Sequence, residues 1–251
     1  MGIESYDERF YERRERGAQC SAEAVVPLVL ELLTPRRIVD VGCGTGVWLS
    51  VFSQSGVSDF LGIDADYILP SQLKIPVDRF RAADLRSPLP VEGPYDLVLC
   101  LEVAEHLPAA ASDEFIDRLT ALGPVVLFSA AIPFQGGRNH VNEQWPQYWI
   151  ERFKARGYEA LDPFRRRLWI AEDVEWWYAQ NLLLFATPAA LAVNPRLARA
   201  PRAEEPLALI HPRGYLEKMD QLSGANLPLR TVLSALPRAV GRALRRRVTR
   251  A

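Results

Sequence analysis

Short apolar runs alternate, along most of this chain, with longer stretches in which apolar residues recur at helical spacing. The apolar runs predict five strands, at about 37–41, 60–64, 79–83, 96–101 and 124–129. The helical spacing predicts helices near 46–55, 111–122 and 146–156. Because strands alternate with helices, and the fourth strand is almost wholly apolar, we expect an α/β fold. Its sheet should be doubly wound and mostly parallel, with helices on both faces.

The pattern changes before and after this alternation. Residues 3–19 are charged with interleaved aromatic residues, and residues 21–33 have helical periodicity. We therefore expect residues 1–35 to form a helical amino-terminal segment. Two interpretations of its role stay open: a cover over a ligand site, or a solvated helix docked by its aromatic side chains. Further along, residues 172–180 predict a short aromatic helix and residues 181–186 a final strand.

The carboxyl-terminal part, residues 188–251, departs from the core domain predicted over residues 36–187. Residues 194–206 carry three prolines and mixed charge, which predicts a linker. Residues 231–248 place apolar residues at roughly helical spacing with arginines between them, as in a basic amphipathic helix. Three roles stay open for this stretch: contact with an anionic membrane surface, packing on the domain, and formation of a homodimer.

The most informative chemistry lies where the first predicted strand meets the first predicted helix after it. Asp40 lies in that strand, and glycines follow at alternate positions, Gly42, Gly44 and Gly46. Glycine is needed where the backbone turns with positive φ or lies against a ligand, so this loop predicts a binding site at a helix N-terminus. Val47 stands where a dinucleotide site has its third glycine, and no P-loop lysine follows. The loop has no basic residue, which favours a ligand without phosphates but with a cationic, amine-bearing end.

Two more acidic residues follow predicted strands. Asp64 ends the second strand, where an acid commonly binds ribose hydroxyls. Asp84 follows the third strand. These acids and the glycine loop would meet at the carboxyl ends of parallel strands, where α/β proteins bind ligands.

These features resemble the class I S-adenosylmethionine-dependent methyltransferase family. The resemblance covers roughly residues 20–187 and rests on four motifs in order: Asp40–Gly46, Asp64, Ala83–Leu85 and Tyr95–Leu107. It implies a seven-stranded Rossmann-like sheet whose last strand lies antiparallel near one edge. It also implies that S-adenosylmethionine is the cofactor.

The resemblance assigns roles around that cofactor. The glycine loop would hold the methionine end, Asp64 the ribose, and Asp84 with Leu85 would flank the adenine. The residues assigned to the cofactor in this way are Asp40, Gly42, Cys43, Gly44, Gly46, Asp64, Ala65, Asp84, Leu85, Leu101 and Glu102.

His140 is the candidate general base. Methyl transfer to a hydroxyl requires that its proton be removed, and a histidine titrates near the working pH. His140 lies in a polar loop, residues 132–145, after the fifth predicted strand, and either Glu143 or Asn142 could orient its ring. The alternative is a loop histidine that only hydrogen-bonds backbone. Residues 132–149 are also similar to a segment of bacterial methyltransferases of glycan and natural-product pathways.

The stretch from Glu102 to His106 has two interpretations. In the first it ends the fourth strand and packs beside the cofactor, with no metal. In the second, the E-x-x-E-H arrangement of Glu102, Glu105 and His106 resembles ubiquinone-pathway O-methyltransferases and small-RNA 3′-end 2′-O-methyltransferases. Those enzymes bind a divalent ion there, and His140 could complete the site. Carboxylates with imidazoles suit Mn²⁺, Fe²⁺ or Zn²⁺ better than Mg²⁺.

Composition and charge indicate which partners and which cellular compartment to expect. The formal net charge is −1, so we expect no general attraction to nucleic acid. Cys20, Cys43 and Cys100 show no paired spacing and predict reduced thiols. The charged amino terminus does not resemble a signal peptide, and together these features predict a cytoplasmic protein.

The sequence therefore predicts an S-adenosylmethionine-dependent methyltransferase that acts on a small molecule. O-methylation of a sugar, glycan or natural-product hydroxyl is the leading prediction. The alternatives are a metal-assisted O-methyltransferase and a protein that binds S-adenosylmethionine without catalysis.

Overall fold

The structure is a computed structural model that describes residues 4–223, with 229, 233–234 and 236–237 beyond them, and only the backbone of residues 4–14. The chain divides into two compact units, Met1–His211 and Pro212–Ala251. Within the described part, no helix has the length and apolar character that crossing a bilayer would require.

The first unit is built on one seven-stranded sheet. Its strands are β1 (Arg37–Val41), β2 (Asp59–Asp64), β3 (Phe80–Ala82), β4 (Leu97–Leu101), β5 (Val125–Ser129), β6 (Glu159–Leu161) and β7 (Leu183–Ala186). Their order is β3-β2-β1-β4-β5-β7-β6, with β1 to β5 parallel to their neighbours. β7 runs antiparallel to both β5 and β6. The predicted mostly parallel, seven-stranded fold is confirmed, including an antiparallel last strand near one edge.

Helices cover both faces of this sheet. They are α1 (Glu4–Leu32), α2 (Val47–Gln54), α3 (Ser112–Leu122), α4 (Pro146–Ala155), α5 (Arg165–Leu168), α6 (Trp176–Asn181), α7 (Pro188–Val193) and α8 (Pro195–Ala198). Successive residues of β4 point to opposite faces, as the pleat requires. Leu97 and Leu99 belong to the core under α1, α2 and α6–α8, whereas Val98 and Cys100 belong to the core under α3 and α4.

The amino-terminal segment is one continuous helix, although the sequence reads as two stretches, 3–19 and 21–33. α1 passes through Pro27 without ending. Val25, Val26 and Val29 are fully buried on both sides of that proline, so packing against the sheet outweighs the hydrogen bond that proline removes.

The segment predicted as a linker, residues 194–206, is part of the first unit. Leu197 of α8 is fully buried, and Asn194 caps that helix by accepting a hydrogen bond from the Leu197 amide. The linker prediction is wrong because it takes proline as a sign of irregular structure. Pro195 instead occupies the first helical turn, where its fixed φ suits a helix. The structure therefore divides the chain after residue 211, whereas the sequence places the end of the core domain at residue 187.

Strand β6 is absent from the sequence prediction. It has only three residues and begins with Glu159, so it shows neither an apolar run nor a long alternation. Its place is set instead by pairing with β7, which lies more than twenty residues further along the chain.

Candidate active site

The glycine loop turns the chain from β1 into α2 with three residues of positive φ: Gly42 at 87°, Gly44 at 53° and Gly46 at 82°. A Cβ atom at Gly42 would lie 2.3 Å from Val103, and one at Gly46 would lie 2.8 Å from Ile75. A Cβ at Gly44 would meet no described atom within 4 Å. The outer glycines are therefore required by packing, whereas Gly44 presents bare backbone to open space, as a ligand cradle requires.

Asp64 closes this loop from the end of β2. The Gly44 amide donates to one of its carboxylate oxygens at 2.6 Å, and the Ala65 amide donates to the other at 2.7 Å. The side chain is buried. The predicted ribose acid therefore lies directly against the backbone of the middle glycine, although 20 residues separate the two in the chain.

Asp40 lies beneath the same loop and is almost fully buried. Burial, with a smaller contribution from the negative charge of Asp64, raises the pKa of Asp40 to about 7. A cation bound between these carboxylates would oppose both effects. This part of the site therefore suits a ligand with a cationic end.

Cys43, between the first two glycines of the loop, is a buried free thiol. Burial raises its pKa, and the charges of Asp40 and Asp64 raise it further. A thiol held neutral in this way is a packing side chain and a poor nucleophile.

Asp84 is placed differently from the other two acids. It is exposed and accepts hydrogen bonds from the Arg86 guanidinium, at 2.9 Å for both Nε and Nη2. That guanidinium lowers the pKa of Asp84. Leu85 is partly buried against the core beneath α3. The Ala83 amide, just before them, donates to the Asp64 carbonyl at 2.7 Å, so β3 ends beside the site. Their contact with adenine stays a prediction.

Glu102 follows the buried Leu101 at the end of β4 and adopts a positive φ of 55°. Such backbone is unusual for a residue other than glycine. Its carboxylate accepts hydrogen bonds from Gln135 Nε2 at 2.9 Å and from Asn181 Nδ2 at 3.1 Å. Its amide donates to the Ser129 hydroxyl at 3.1 Å. These contacts fix the Glu102 carboxylate at the edge of the sheet where the glycine loop lies.

Glu105 is fully buried, and neither of its carboxylate oxygens has a hydrogen-bond partner. Burial raises the pKa of Glu105 well above its ordinary value, and the charge of Glu102 adds to the effect. Unpartnered buried carboxylates are rare because desolvation is costly, and such a group stays ionised only beside a cation.

Two imidazoles lie beside that carboxylate. The possible ligand atoms of Glu105, His106 and His140 all lie within 4.8 Å of one another. Nε2 of His140 is 4.0 Å from Oε1 of Glu105, and the two histidine rings meet edge to face at 4.8 Å. Of the four ligands that the resemblance suggests, the structure brings these three together and holds Glu102 to one side. One oxygen and two nitrogens make a donor set that fits a divalent transition metal.

His140 is oriented by Glu143. Its Nδ1 lies 3.0 Å from Oε1 of Glu143, and because a carboxylate accepts, this nitrogen carries the proton. Nε2 is then left with a lone pair, as a base or a metal ligand requires. Asn142, the other candidate for orienting the ring, donates instead to the Ser112 hydroxyl at 3.0 Å.

The same Glu143 carboxylate organises the loop around the histidine. It accepts hydrogen bonds from the amides of Phe134, at 2.8 Å, and Gly136, at 2.6 Å. Phe134 has a positive φ of 68°, and its ring is exposed. One side chain thus fixes both the His140 ring and an apolar residue at the rim of the site.

Helix α1 reaches the glycine loop through Glu15. Oε1 of Glu15 lies 2.8 Å from Nζ of Lys74 and accepts a hydrogen bond from the Thr45 hydroxyl at 3.3 Å. This contact supports the interpretation of the amino-terminal segment as a cover. The side chains of its aromatic residues, Tyr6, Phe10 and Tyr11, lie outside the described residues.

Comparison with known proteins agrees with this geometry. A family model described as a methyltransferase domain matches residues 11–181. The ubiquinone biosynthesis O-methyltransferase of Acinetobacter baylyi is 32% identical over 88 residues, covering 32% of this chain and 37% of that protein. The enzyme of the same name from Methylococcus capsulatus is 32% identical over 106 residues, covering 39% and 44%. The chain thus spans less than half the length of these curated relatives.

Solved structures show the same fold. A magnesium protoporphyrin IX methyltransferase from Synechocystis, solved with bound S-adenosylhomocysteine, has a TM-score of 0.52 at 17% identity, covering 70% of this chain and 87% of that one. An amino pentose methyltransferase from Micromonospora echinaspora, solved with S-adenosylmethionine, has a TM-score of 0.52 at 17% identity, covering 74% and 98%.

The chain therefore belongs to the methyltransferase-domain family, as the sequence predicts, because the family model matches well over half of it. This membership confirms the predicted methyltransferase family.

Proposed function

We propose that this protein transfers a methyl group from S-adenosylmethionine to a hydroxyl oxygen of a small-molecule acceptor. The observation that carries the proposal is the bare backbone at Gly44, flanked by the carboxylates of Asp40 and Asp64. The curated relatives are named O-methyltransferases, which supports oxygen as the accepting atom.

The residues of the glycine loop would bind the cofactor by shape and charge. S-adenosylmethionine, when bound, supplies an activated methyl group on a positively charged sulfur. Asp40 would face its cationic methionine end, and Asp64 would accept hydrogen bonds from the ribose hydroxyls. Glu15 and Lys74 would hold the loop from the side of α1.

His140 would take the acceptor's proton. The acceptor oxygen forms a bond to the methyl carbon while the carbon–sulfur bond breaks and sulfur keeps the electron pair. The hydroxyl proton passes to Nε2 of His140, and Glu143 stabilises the resulting imidazolium. Phe134 at the rim would contact the body of the acceptor.

Turnover of labelled cofactor tests this proposal. With methyl-labelled S-adenosylmethionine and a panel of sugars and phenols, we expect label in an O-methyl product. Asp64→Asn should weaken cofactor binding by about 10- to 150-fold, because hydrogen bonds to a charged group are worth about 1.5–3 kcal/mol. The exposed Asp66→Asn is the matched control and should bind as wild type. Cofactor binding without turnover on any acceptor would instead support a non-catalytic binding protein.

His140→Ala separates catalysis from binding. If His140 is the base, turnover should fall by about 10²–10⁴-fold while cofactor affinity stays unchanged. A fully active His140→Ala protein would contradict both this role and the metal-assisted alternative described next.

A second candidate is favoured by the unpartnered Glu105 carboxylate. We propose, as the alternative, that Glu105, His106 and His140 hold a divalent ion, which lowers the pKa of an acceptor hydroxyl. In this form Glu143 orients His140 as a ligand, in the way that carboxylates commonly support metal-bound imidazoles.

Calorimetry with Mn²⁺ or Zn²⁺ tests the metal directly, without reference to activity. We expect one ion bound per chain, and a loss of binding in Glu105→Gln, because the variant removes the only carboxylate of the cluster. Glu151→Gln, an exposed residue, should bind the ion normally. If turnover survives a strong chelator and no ion binds, the metal-assisted alternative is contradicted and the metal-free mechanism is supported.

A further inference from the structure

The second unit carries an apolar surface that the chemistry above does not use. Helix α9 (Pro212–Gln221) has no buried residue. Its large apolar side chains, and one just beyond it, are widely exposed: Tyr215 52%, Leu216 64%, Met219 41% and Leu222 54%. We call these four residues the α9 face.

The α9 face is a stripe. At 100° per residue its four members fall within an arc of about 120°. Arg213, Glu217 and Asp220 fall on the opposite side. A helix with one apolar side and one charged side requires an apolar environment along one side only.

Charge is divided unevenly between this end and the rest of the chain. All 31 acidic residues lie within residues 1–220, whereas 7 of the 30 Lys and Arg lie within residues 221–251. Residues 221–251 thus have a formal charge of +7 and residues 1–220 one of −8. The net charge of −1 conceals a strongly cationic segment.

Apolar residues accompany that cationic charge. Leu229, Leu233 and Leu236 are exposed by 72%, 58% and 55%. Further leucines and valines alternate with the arginines up to residue 248. The segment thus combines, over a short length, a net positive charge with exposed apolar side chains.

We infer that the second unit binds the surface of an anionic lipid membrane. The α9 face and the exposed leucines would enter the boundary between headgroups and acyl chains, while the arginines pair with lipid phosphates. A nucleic acid would use the arginines but leave the leucines in water. A second copy of the chain that paired the two α9 faces would bring two segments of +7 together, and these repel each other.

Vesicle flotation with the full chain tests this inference. We expect the protein to float with vesicles of phosphatidylcholine containing about one third phosphatidylglycerol and to stay behind with phosphatidylcholine alone. Binding should weaken as salt is raised, because the Debye length shortens from about 10 Å at 0.1 M to about 3 Å at 1 M.

Variants separate the electrostatic contribution to membrane binding from the apolar one. The triple change Arg245→Ala, Arg246→Ala, Arg247→Ala should lower partitioning about a hundredfold, since each basic residue strengthens binding severalfold. The matched control, Lys154→Ala, Arg166→Ala, Arg199→Ala, removes the same charge from exposed positions of the first unit and should partition as wild type. Leu216→Gln with Met219→Gln should weaken partitioning while leaving its salt dependence intact.

Four outcomes of the flotation and binding measurements would overturn the inference. They are no flotation at low salt, equal flotation with neutral vesicles, equal loss in the control triple variant, and tight binding of an RNA oligonucleotide with no vesicle binding. A dimer seen by light scattering and disrupted by the α9 changes, without flotation, would also overturn it, in favour of self-association. Cofactor binding, measured in parallel, shows that each variant is folded and does not depend on the outcome.

Discussion

Three carboxylates at the same edge of the sheet differ in how their charge is balanced. Asp64 accepts hydrogen bonds from two backbone amides, and Asp40 lies buried next to it. Glu105 has no hydrogen-bond partner for either oxygen. Asp40 and Glu105 therefore stand where negative charge is costly without a cation beside it, which is typical of a binding site.

The first residue-scale prediction concerns Asp40 and pH. Because burial raises its pKa to about 7, the apo protein binds a proton there that the unfolded chain, with a pKa near 3.8, does not. Cofactor binding should therefore tighten as pH rises from about 5.5 to 7, while Asp40 becomes ionised. In Asp40→Asn, binding measured by calorimetry should be weaker and should not change with pH over this range.

The free energy of unfolding provides the control, because the contribution of Asp40 to it should fall as pH rises while cofactor binding tightens. A raised folded-state pKa means that the contribution of Asp40 to stability is fully present below about pH 4 and is lost as pH rises through 7. Asp40→Asn should therefore gain stability relative to wild type between pH 5 and 8 in denaturant unfolding. A difference that does not change with pH would contradict the assignment.

The second residue-scale prediction concerns Gly44. Valine there would need a positive φ that β-branched residues rarely adopt, and its side chain would project into the space that faces the ligand. We expect Gly44→Val to lower cofactor affinity at least tenfold, measured by calorimetry. Gly56, another glycine of positive φ with open space around it but outside the loop, supplies the control, because Gly56→Val should leave cofactor affinity unchanged.

At the scale of elements, α7 and α8 are part of the first unit, although their prolines predict a linker. Leu197→Ala removes a fully buried side chain and should destabilise the protein by about 2–5 kcal/mol. The exposed Val193→Ala in α7 should change stability by less than about 0.5 kcal/mol. Urea unfolding of the two variants checks this, and equal stabilities would support a linker.

The elements that sequence predicts well are those with local signals. β1 and α2 flank the glycine loop, and the contiguous run from Asp40 to Gly46 carries its own turn chemistry. β6 and the capped α8 depend on partners elsewhere, respectively β7 and the core beneath α1. No local periodicity encodes such partners, so sequence reasoning misses them.

At the scale of the whole molecule, the candidate site also combines residues with local motifs and residues that only the fold brings together. Gln135 and Asn181 fix Glu102, yet these three residues stand in three separate parts of the chain and carry no motif. Gln180 extends the network, because it donates to Gln135 and accepts from the amide of His211. Only the folded sheet brings them together, so the sequence predicts the acids and the histidines but not the amides that hold them.

The position of β7 between β5 and β6 also matters during synthesis. A ribosome completes β5 by residue 129 and β6 by residue 161, yet both must wait for residues 183–186 before they gain this neighbour. Until then the nascent chain offers an open edge at β5, and open edges invite pairing with other chains. Pauses in translation before β7 would lengthen that exposure. The time at which β7 is synthesised therefore sets how long the edge of β5 stays exposed.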